Sequence, residues 1–136
     1  MQLVVDIGNS NIVIALRVGK DWQHIFRYET KEDQPGLYYQ NGLMSLLFEW
    51  GVHAGHLKSV TISSVVPHLN QKIADAVLHA TGIVPLLLNP GHLKQLDLKV
   101  PHANEFGTDL VANAYAASKI WNQPCIVADF GTALTF

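Results

Sequence analysis

Two short apolar segments of this chain each run into an aspartate, and a glycine follows two residues later. Leu3 to Val5 leads into Asp6-Ile7-Gly8-Asn9-Ser10-Asn11, and Cys125 to Ala128 leads into Asp129-Phe130-Gly131-Thr132-Ala133-Leu134-Thr135. An apolar run that stops at turn residues predicts a buried strand followed by a tight turn. One such turn is usually an ordinary hairpin, but two copies of the same design constrain the chain to a fold with two related strand–turn units.

Both turns combine groups that bind phosphate and divalent cations. The aspartate can hold Mg²⁺ or its water shell, and the glycine lets phosphate oxygens approach main-chain N–H groups that a Cβ atom would screen. Two such turns that face each other across a cleft resemble the nucleotide-phosphate grip of actin-like sugar kinases and related ATPases. The pattern therefore favours a nucleotide-binding α/β protein.

The composition predicts a compact domain without a basic surface. The 136 residues are 49% apolar and 15% charged, which suffices for one core. Nine basic against eleven acidic residues give a net charge of -2, so nucleic acid and anionic membrane surfaces are not expected partners. The sequence starts without a signal-peptide pattern and has no apolar run of membrane-helix length. Cys125, alone and within an apolar run, is interpreted as a core residue of a reduced, cytoplasmic protein.

Hydrophobic periodicity predicts elements in the order β-β-β-α-β-α-β-α. Strands are expected at Leu3–Asp6, Ile12–Val18, Trp22–Glu29, Ser59–Ser64 and Val84–Leu88, and helices at Tyr38–Trp50, His68–Thr81 and Asp109–Trp121. This order matches the ribonuclease H-like unit of the actin-like ATPase (ASKHA) superfamily. A break at Asn122-Gln123-Pro124 predicts a first domain over residues 1–122 and the truncated start of a second over 123–136, opened by a strand at Cys125–Asp129.

Five motifs, read in order, resemble the type III pantothenate kinases, a family also named Bvg accessory factor. They are Asp6-x-Gly8-Asn9-x-Asn11, Ser63-Ser64-Val65-Val66-Pro67, Asn89-Pro90-Gly91, Glu105-Phe106-Gly107-Thr108-Asp109 and Asp129-Phe130-Gly131-Thr132-Ala133-x-Thr135. The resemblance covers the whole chain with similar spacing. Because family members are considerably longer, it implies that this chain is an N-terminal portion.

The resemblance implies an activity, its cofactors and an assembly state. Members of that family phosphorylate pantothenate to 4′-phosphopantothenate, the first step of coenzyme A biosynthesis. They use ATP, Mg²⁺ and a monovalent cation, K⁺ or NH₄⁺, and they act as homodimers. We therefore expect the same small-molecule substrate, the same cofactors and a homodimer for this chain.

The resemblance also assigns roles to individual residues. Asp109 is implied as the general base on the pantothenate hydroxyl, although from the residues alone a helix N-cap or first-turn acid accounts for it without any chemistry. Metal contacts are implied for Asp6, on the magnesium side, and for Asp129, at the monovalent cation. The implied nucleotide contacts are Asp6, Ile7, Gly8, Asn9, Ser10, Asn11, Ile12, Val13 and Thr132, and the implied substrate contacts are Val100, Gly107, Thr108, Asp109 and Leu110.

Two substrate-side positions depart from the family pattern. Leu110 stands where the family usually has arginine, and Val100 where it often has tyrosine. A guanidinium group could pair with the pantothenate carboxylate, whereas a leucine cannot. Two other functions therefore stay open, a non-catalytic ATP-binding or transcription-accessory relative and an actin-like kinase for another small hydroxylated substrate.

Overall fold

Residues Met1–Leu87 form one compact unit and Leu88–Phe136 form a second. This computed structural model describes residues 1–93, 96, 107–121, 123–131 and 134–136. The predicted contacts Val100 and Thr132, and the motif residues Glu105 and Phe106, lie outside the described residues.

The first unit is built on a five-stranded mixed sheet in the order β3-β2-β1-β4-β5. Its strands are β1 (Gln2–Ile7), β2 (Asn11–Val18), β3 (Asp21–Glu29), β4 (Ser59–Ser64) and β5 (Leu86–Leu87). The first three strands pair antiparallel as a meander, while β4 is parallel to β1 and β5 is parallel to β4. Since parallel neighbours need a crossover connection, a helix separates each of these parallel pairs along the chain.

Two helices, α1 (Gly36–Glu49) and α2 (Pro67–Thr81), make these crossovers. Proline occupies the first position of α2, where its missing N–H has no partner to lose, and Gly82 ends the helix with a left-handed φ of 73°. Both helices contribute one apolar face to the core, and the inward residues are Tyr39, Leu43, Leu46, Leu47, Leu69, Ile73, Ala76 and Val77.

The core lies on one face of the sheet. Leu3, Val5 and Ile7 alternate along β1 and are essentially inaccessible to solvent, packed in the cluster that includes α1 and α2. Because successive side chains of a strand point to opposite faces, Asp6 points to the face away from this core.

The second unit contains α3 (Pro90–Leu93), α4 (Thr108–Ile120) and a hairpin of β6 (Asp129–Phe130) and β7 (Leu134–Thr135). Among the described residues of both units, no helix has the length and apolar composition needed to cross a membrane.

Most predicted elements are confirmed, with boundaries shifted by one or two residues. The first four strands and the three long helices all form. The strand predicted at Val84–Leu88 shortens to the two residues that pair with β4.

The strand predicted at Cys125–Asp129 is wrong, because only its last residue lies in a strand, β6. Cys125 is exposed, and Ile126 is 85% exposed, so the interpretation of Cys125 as a core residue is also wrong. The reason is that a strand needs a neighbour to satisfy its backbone groups, and β7 pairs only with Asp129 and Phe130. The compact units separate at residue 87 rather than 122, and the predicted domain boundary of the longer protein stays a prediction.

Candidate functional site

The turn between β1 and β2, residues 8–11, is called here the phosphate turn. The Gly8 N–H donates a 2.9 Å hydrogen bond to the Asn11 carbonyl, which closes the turn. A Cβ atom at Gly8 would lie 3.0 Å from that same carbonyl oxygen, a close contact that the oxygen would have to relieve by shifting. Asn9 and Ser10 are exposed at the tip. The turn therefore offers a bare backbone flanked by short polar side chains, a combination that suits an anionic ligand.

The carboxyl ends of β1 and β4 bring a second predicted motif beside this turn. The parallel register pairs Asp6 with Ser63 and Ile7 with Ser64, so Asp6 and Ser63 lie on the same face, opposite the helical layer. The Val65 N–H donates to the Ile7 carbonyl at 3.0 Å, which fixes the chain leaving β4. Ligands of α/β sheets bind outside the carboxyl ends of parallel strands, and this edge is such a position.

The implied nucleotide contacts divide by burial. Ile7 and Ile12 are fully buried in the core, so their side chains cannot touch a ligand and only their backbone could contribute. Val13 is half-buried and pairs with Asp6 across β1 and β2, on the same face. The side chains within reach of a ligand at this edge are therefore the polar ones and Val13.

The donor atoms at this edge fit a magnesium–phosphate group. Asp6 supplies a half-buried carboxylate, and Asn9, Ser10 and Asn11 supply amide and hydroxyl groups. Mg²⁺ prefers oxygen ligands and is usually held by one or two carboxylates together with substrate phosphates. Within the described residues, no three histidine, cysteine or acidic side chains lie close enough together to bind a metal ion by themselves. A magnesium ion that is also bound by substrate phosphates does not need such a cluster.

The second unit holds Asp109 in the first turn of α4. Gly107, in an extended conformation, is the N-cap residue and the helix begins at Thr108, which is buried. Asp109 is therefore a first-turn acid rather than the N-cap, and its Oδ1 accepts a 2.8 Å hydrogen bond from the Leu110 N–H. Asp109 is half-buried and thus reachable from solvent.

A hydrogen bond joins α4 to the second Asp–x–Gly segment. The Asn113 Nδ2 donates to the Asp129 Oδ2 at 2.8 Å. Asn113 is four residues after Asp109, so the two side chains lie on the same face of the helix. Sequence reasoning did not single out Asn113, and the signal for it was a polar residue one turn after Asp109, between Ala112 and Ala114.

An open cavity of about 370 Å³ adjoins this hydrogen bond within the second unit. Apolar side chains dominate its wall, and Asn113 and Asp129 supply polar groups. Leu110 is part of the same wall. Leu110, which departs from the family pattern, therefore lines this cavity together with Asp129, the residue implied as a cation ligand.

The fold is shared with a solved structure of distant sequence. The structure described as Thermus thermophilus RuvC aligns with a TM-score of 0.50 over 86% of this chain and 76% of its own, at 13% identity. At that identity the similarity establishes the fold alone, a mixed α/β fold of the ribonuclease H-like kind.

A known protein family matches this chain over almost its whole length. The family model described as type III pantothenate kinase matches residues 2–136. The type III pantothenate kinase of Brevibacillus brevis is 39% identical over all of this chain and 53% of its own length. Those of Geobacillus kaustophilus and Treponema pallidum are 33% and 36% identical, over 53% and 51% of their lengths. The chain thus spans about half the length of these relatives, and it belongs to the type III pantothenate kinase family.

Proposed function

We propose that the protein carrying this chain transfers the γ-phosphoryl group of ATP to the hydroxyl of pantothenate, giving 4′-phosphopantothenate and ADP for coenzyme A biosynthesis. The observation that carries the proposal is the phosphate turn at the carboxyl ends of β1 and β4, in a chain that matches the family over residues 2–136. Phosphoryl transfer mainly requires placement of the phosphates and neutralisation of their charge, and this edge supplies groups for both.

Asp109 is the proposed general base. As the pantothenate oxygen forms its bond to the γ-phosphorus, the bond from that phosphorus to the bridging oxygen of ADP breaks, and the hydroxyl proton passes to the Asp109 carboxylate. Its Oδ1 accepts from the Leu110 N–H, which orients the carboxylate. Gly107, Thr108 and Leu110 are proposed substrate neighbours, together with Val100.

Asp6 is the residue we propose to hold Mg²⁺, and bound Mg²⁺ neutralises the phosphate charge. Asp129, oriented by Asn113, is the proposed ligand of the monovalent cation, K⁺ or NH₄⁺. The proposed ATP contacts are the phosphate turn, the backbone of Ile7 and Ile12, the side chain of Val13, and Thr132.

Further properties of the whole protein belong to the same proposal. We infer membership of the actin-like ATPase superfamily, with residues 1–122 as the first of two domains. We also infer a homodimer in the cytoplasm, without a nucleic-acid or membrane partner. The slightly negative net charge supports the absence of a nucleic-acid partner, and the ribonuclease H-like fold supports the superfamily.

A coupled ADP-release assay on the full-length protein tests the proposal. ATP turnover that depends on pantothenate, and rises with K⁺, is expected. ATP binding without pantothenate-dependent turnover would favour the non-catalytic relative instead, for which Leu110 is the supporting observation. Turnover with another hydroxylated acceptor would favour the alternative kinase.

A further inference from the structure

Thr30, the residue directly after β3, makes two hydrogen bonds to the phosphate turn. Its Oγ1 donates to the Gly8 carbonyl at 2.7 Å, and its backbone N–H donates to the Ser10 carbonyl at 2.9 Å. The side chain is half-buried. One residue from a different part of the chain therefore fixes two carbonyl groups of this four-residue turn.

These hydrogen bonds set the direction of the N–H groups that a phosphate would meet. A trans peptide unit is planar, and its N–H points opposite to its C=O. With the Gly8 carbonyl held toward Thr30, the N–H of Asn9 points away from Thr30. The Ser10 carbonyl orients the N–H of Asn11 in the same way. Preorganised N–H donors bind an anion without first losing conformational freedom.

The loop that follows Thr30 is itself tied to both helices of the first unit. The Lys72 Nζ on α2 donates to the carbonyls of Glu32 and Gln34, at 2.9 and 2.8 Å. The Tyr39 hydroxyl on α1 donates to the Lys31 carbonyl, and burial raises the pKa of Tyr39. Thr30 thus connects the phosphate turn to a loop that both helices hold in place.

We propose that Thr30 is a positioning residue for the ATP phosphates, acting through the Gly8–Asn9 peptide. This inference rests on the proposed function. It adds a residue that lies in none of the sequence motifs and that is 22 positions from the turn it holds.

The test compares three variants of the full-length enzyme. Thr30→Val keeps the side-chain shape and the backbone N–H but removes the hydroxyl, and Thr30→Ser keeps the hydroxyl. Thr81→Val is the matched control, because the Thr81 Oγ1 also donates at 2.7 Å to a backbone carbonyl, that of Val77 at the end of α2, away from the turn. The measurements are KM for ATP, KM for pantothenate, kcat and the affinity for a non-hydrolysable MgATP analogue.

Thr30→Val is expected to raise KM for ATP and to weaken analogue binding roughly five- to tenfold, the usual effect of one lost hydrogen bond. KM for pantothenate should stay near that of the wild type. Thr30→Ser should restore most of the ATP affinity, and Thr81→Val should lower the melting temperature without changing KM for ATP.

An unchanged KM for ATP in folded Thr30→Val, or equal changes in both Michaelis constants, would overturn the inference. If Thr30→Val does not fold, Lys72→Met tests the inference instead. This substitution removes the two hydrogen bonds from Lys72 to the loop while keeping an aliphatic side chain. It should raise KM for ATP by a smaller factor, and no rise would overturn the inference. Wild-type binding of the MgATP analogue is measured first, and its absence would reject the proposed function rather than the role of Thr30.

Discussion

At the scale of single residues, Gly8 and Asp109 serve the proposed chemistry by different physical means. Gly8 acts through what it lacks, since a Cβ atom there would meet the Asn11 carbonyl at 3.0 Å. Asp109 acts through a carboxylate in the first turn of α4 that can accept the hydroxyl proton. One residue is therefore sensitive to added volume and the other to lost charge.

Substitution of Gly8 by alanine should weaken ATP binding more than it weakens the fold. The added methyl group must displace the Asn11 carbonyl and also screens the main chain from the phosphates. We expect KM for ATP to rise at least roughly tenfold, with a smaller change in KM for pantothenate. Steady-state kinetics measure both constants. Gly55→Ala is the control, because a Cβ atom at Gly55 meets nothing within 4 Å, and a wild-type KM for ATP in Gly8→Ala would contradict the assigned turn.

Asp109→Asn should abolish most turnover while ATP still binds. The amide oxygen can still accept from the Leu110 N–H, so the helix start is kept, but the amide cannot take the hydroxyl proton. Loss of a general base typically lowers kcat by ~10²-fold or more. Single-turnover kinetics and analogue binding separate the two effects. A mutant with wild-type kcat would reduce Asp109 to a first-turn acid.

Leu110→Arg should lower KM for pantothenate and leave KM for ATP unchanged. A guanidinium group can pair with the substrate carboxylate, a contribution of ~1 to 3 kcal/mol. The effect on kcat should be small, because a contact remote from the reacting hydroxyl stabilises ground and transition states alike. Leu110→Met, which adds no charge, is the control. A raised pantothenate constant would indicate that the arginine pairs instead with Asp129 on the same cavity wall.

At the scale of elements, predictions from sequence succeeded where the signal was local and strong. The alternation in β1 and β2 and the helical periodicity of α2 are visible within single segments. The segment 125–128 has a strand composition but lacks a pairing partner among the described residues, so composition alone misled. Strand formation depends on neighbours that a local pattern does not contain.

In the candidate site, too, the features set by local sequence were predictable, and those set by distant contacts were not. The phosphate turn and its place at a strand end follow from the Asp6-Ile7-Gly8-Asn9 pattern. Thr30 and Asn113 were missed, because their roles arise from hydrogen bonds to residues 22 and 16 positions away. Such contacts exist only after the sheet and the helix have formed.

The link between α4 and β6 yields its own prediction. Asn113→Ala removes the donor to the Asp129 carboxylate, so Asp129 should lose its fixed orientation and bind the monovalent cation less well. We expect half-maximal activation to require several-fold more K⁺, with kcat at saturating K⁺ largely retained. A K⁺ titration of activity measures this. Ser118→Ala, which removes a 2.8 Å hydrogen bond on the same helix, is the control and should leave the K⁺ dependence unchanged. An unchanged K⁺ dependence in Asn113→Ala would contradict the proposal that Asn113 orients Asp129 for cation binding.

At the scale of the whole molecule, the chain spans about half the length of its family relatives. The two groups of proposed site residues fall in different compact units, the phosphate turn in the first and Asp109 with Asp129 in the second. The proposed activity therefore belongs to the full-length protein.

The most direct measurement follows product formation by the full-length protein, with ATP, Mg²⁺ and pantothenate, in K⁺ and in Na⁺ buffers. Mass spectrometry identifies 4′-phosphopantothenate, and a coupled assay counts ADP. We expect equimolar ADP and 4′-phosphopantothenate, formed faster in K⁺, and we expect both products to be lost in Asp109→Asn. Full-length protein that binds ATP but forms no 4′-phosphopantothenate in either buffer would contradict it.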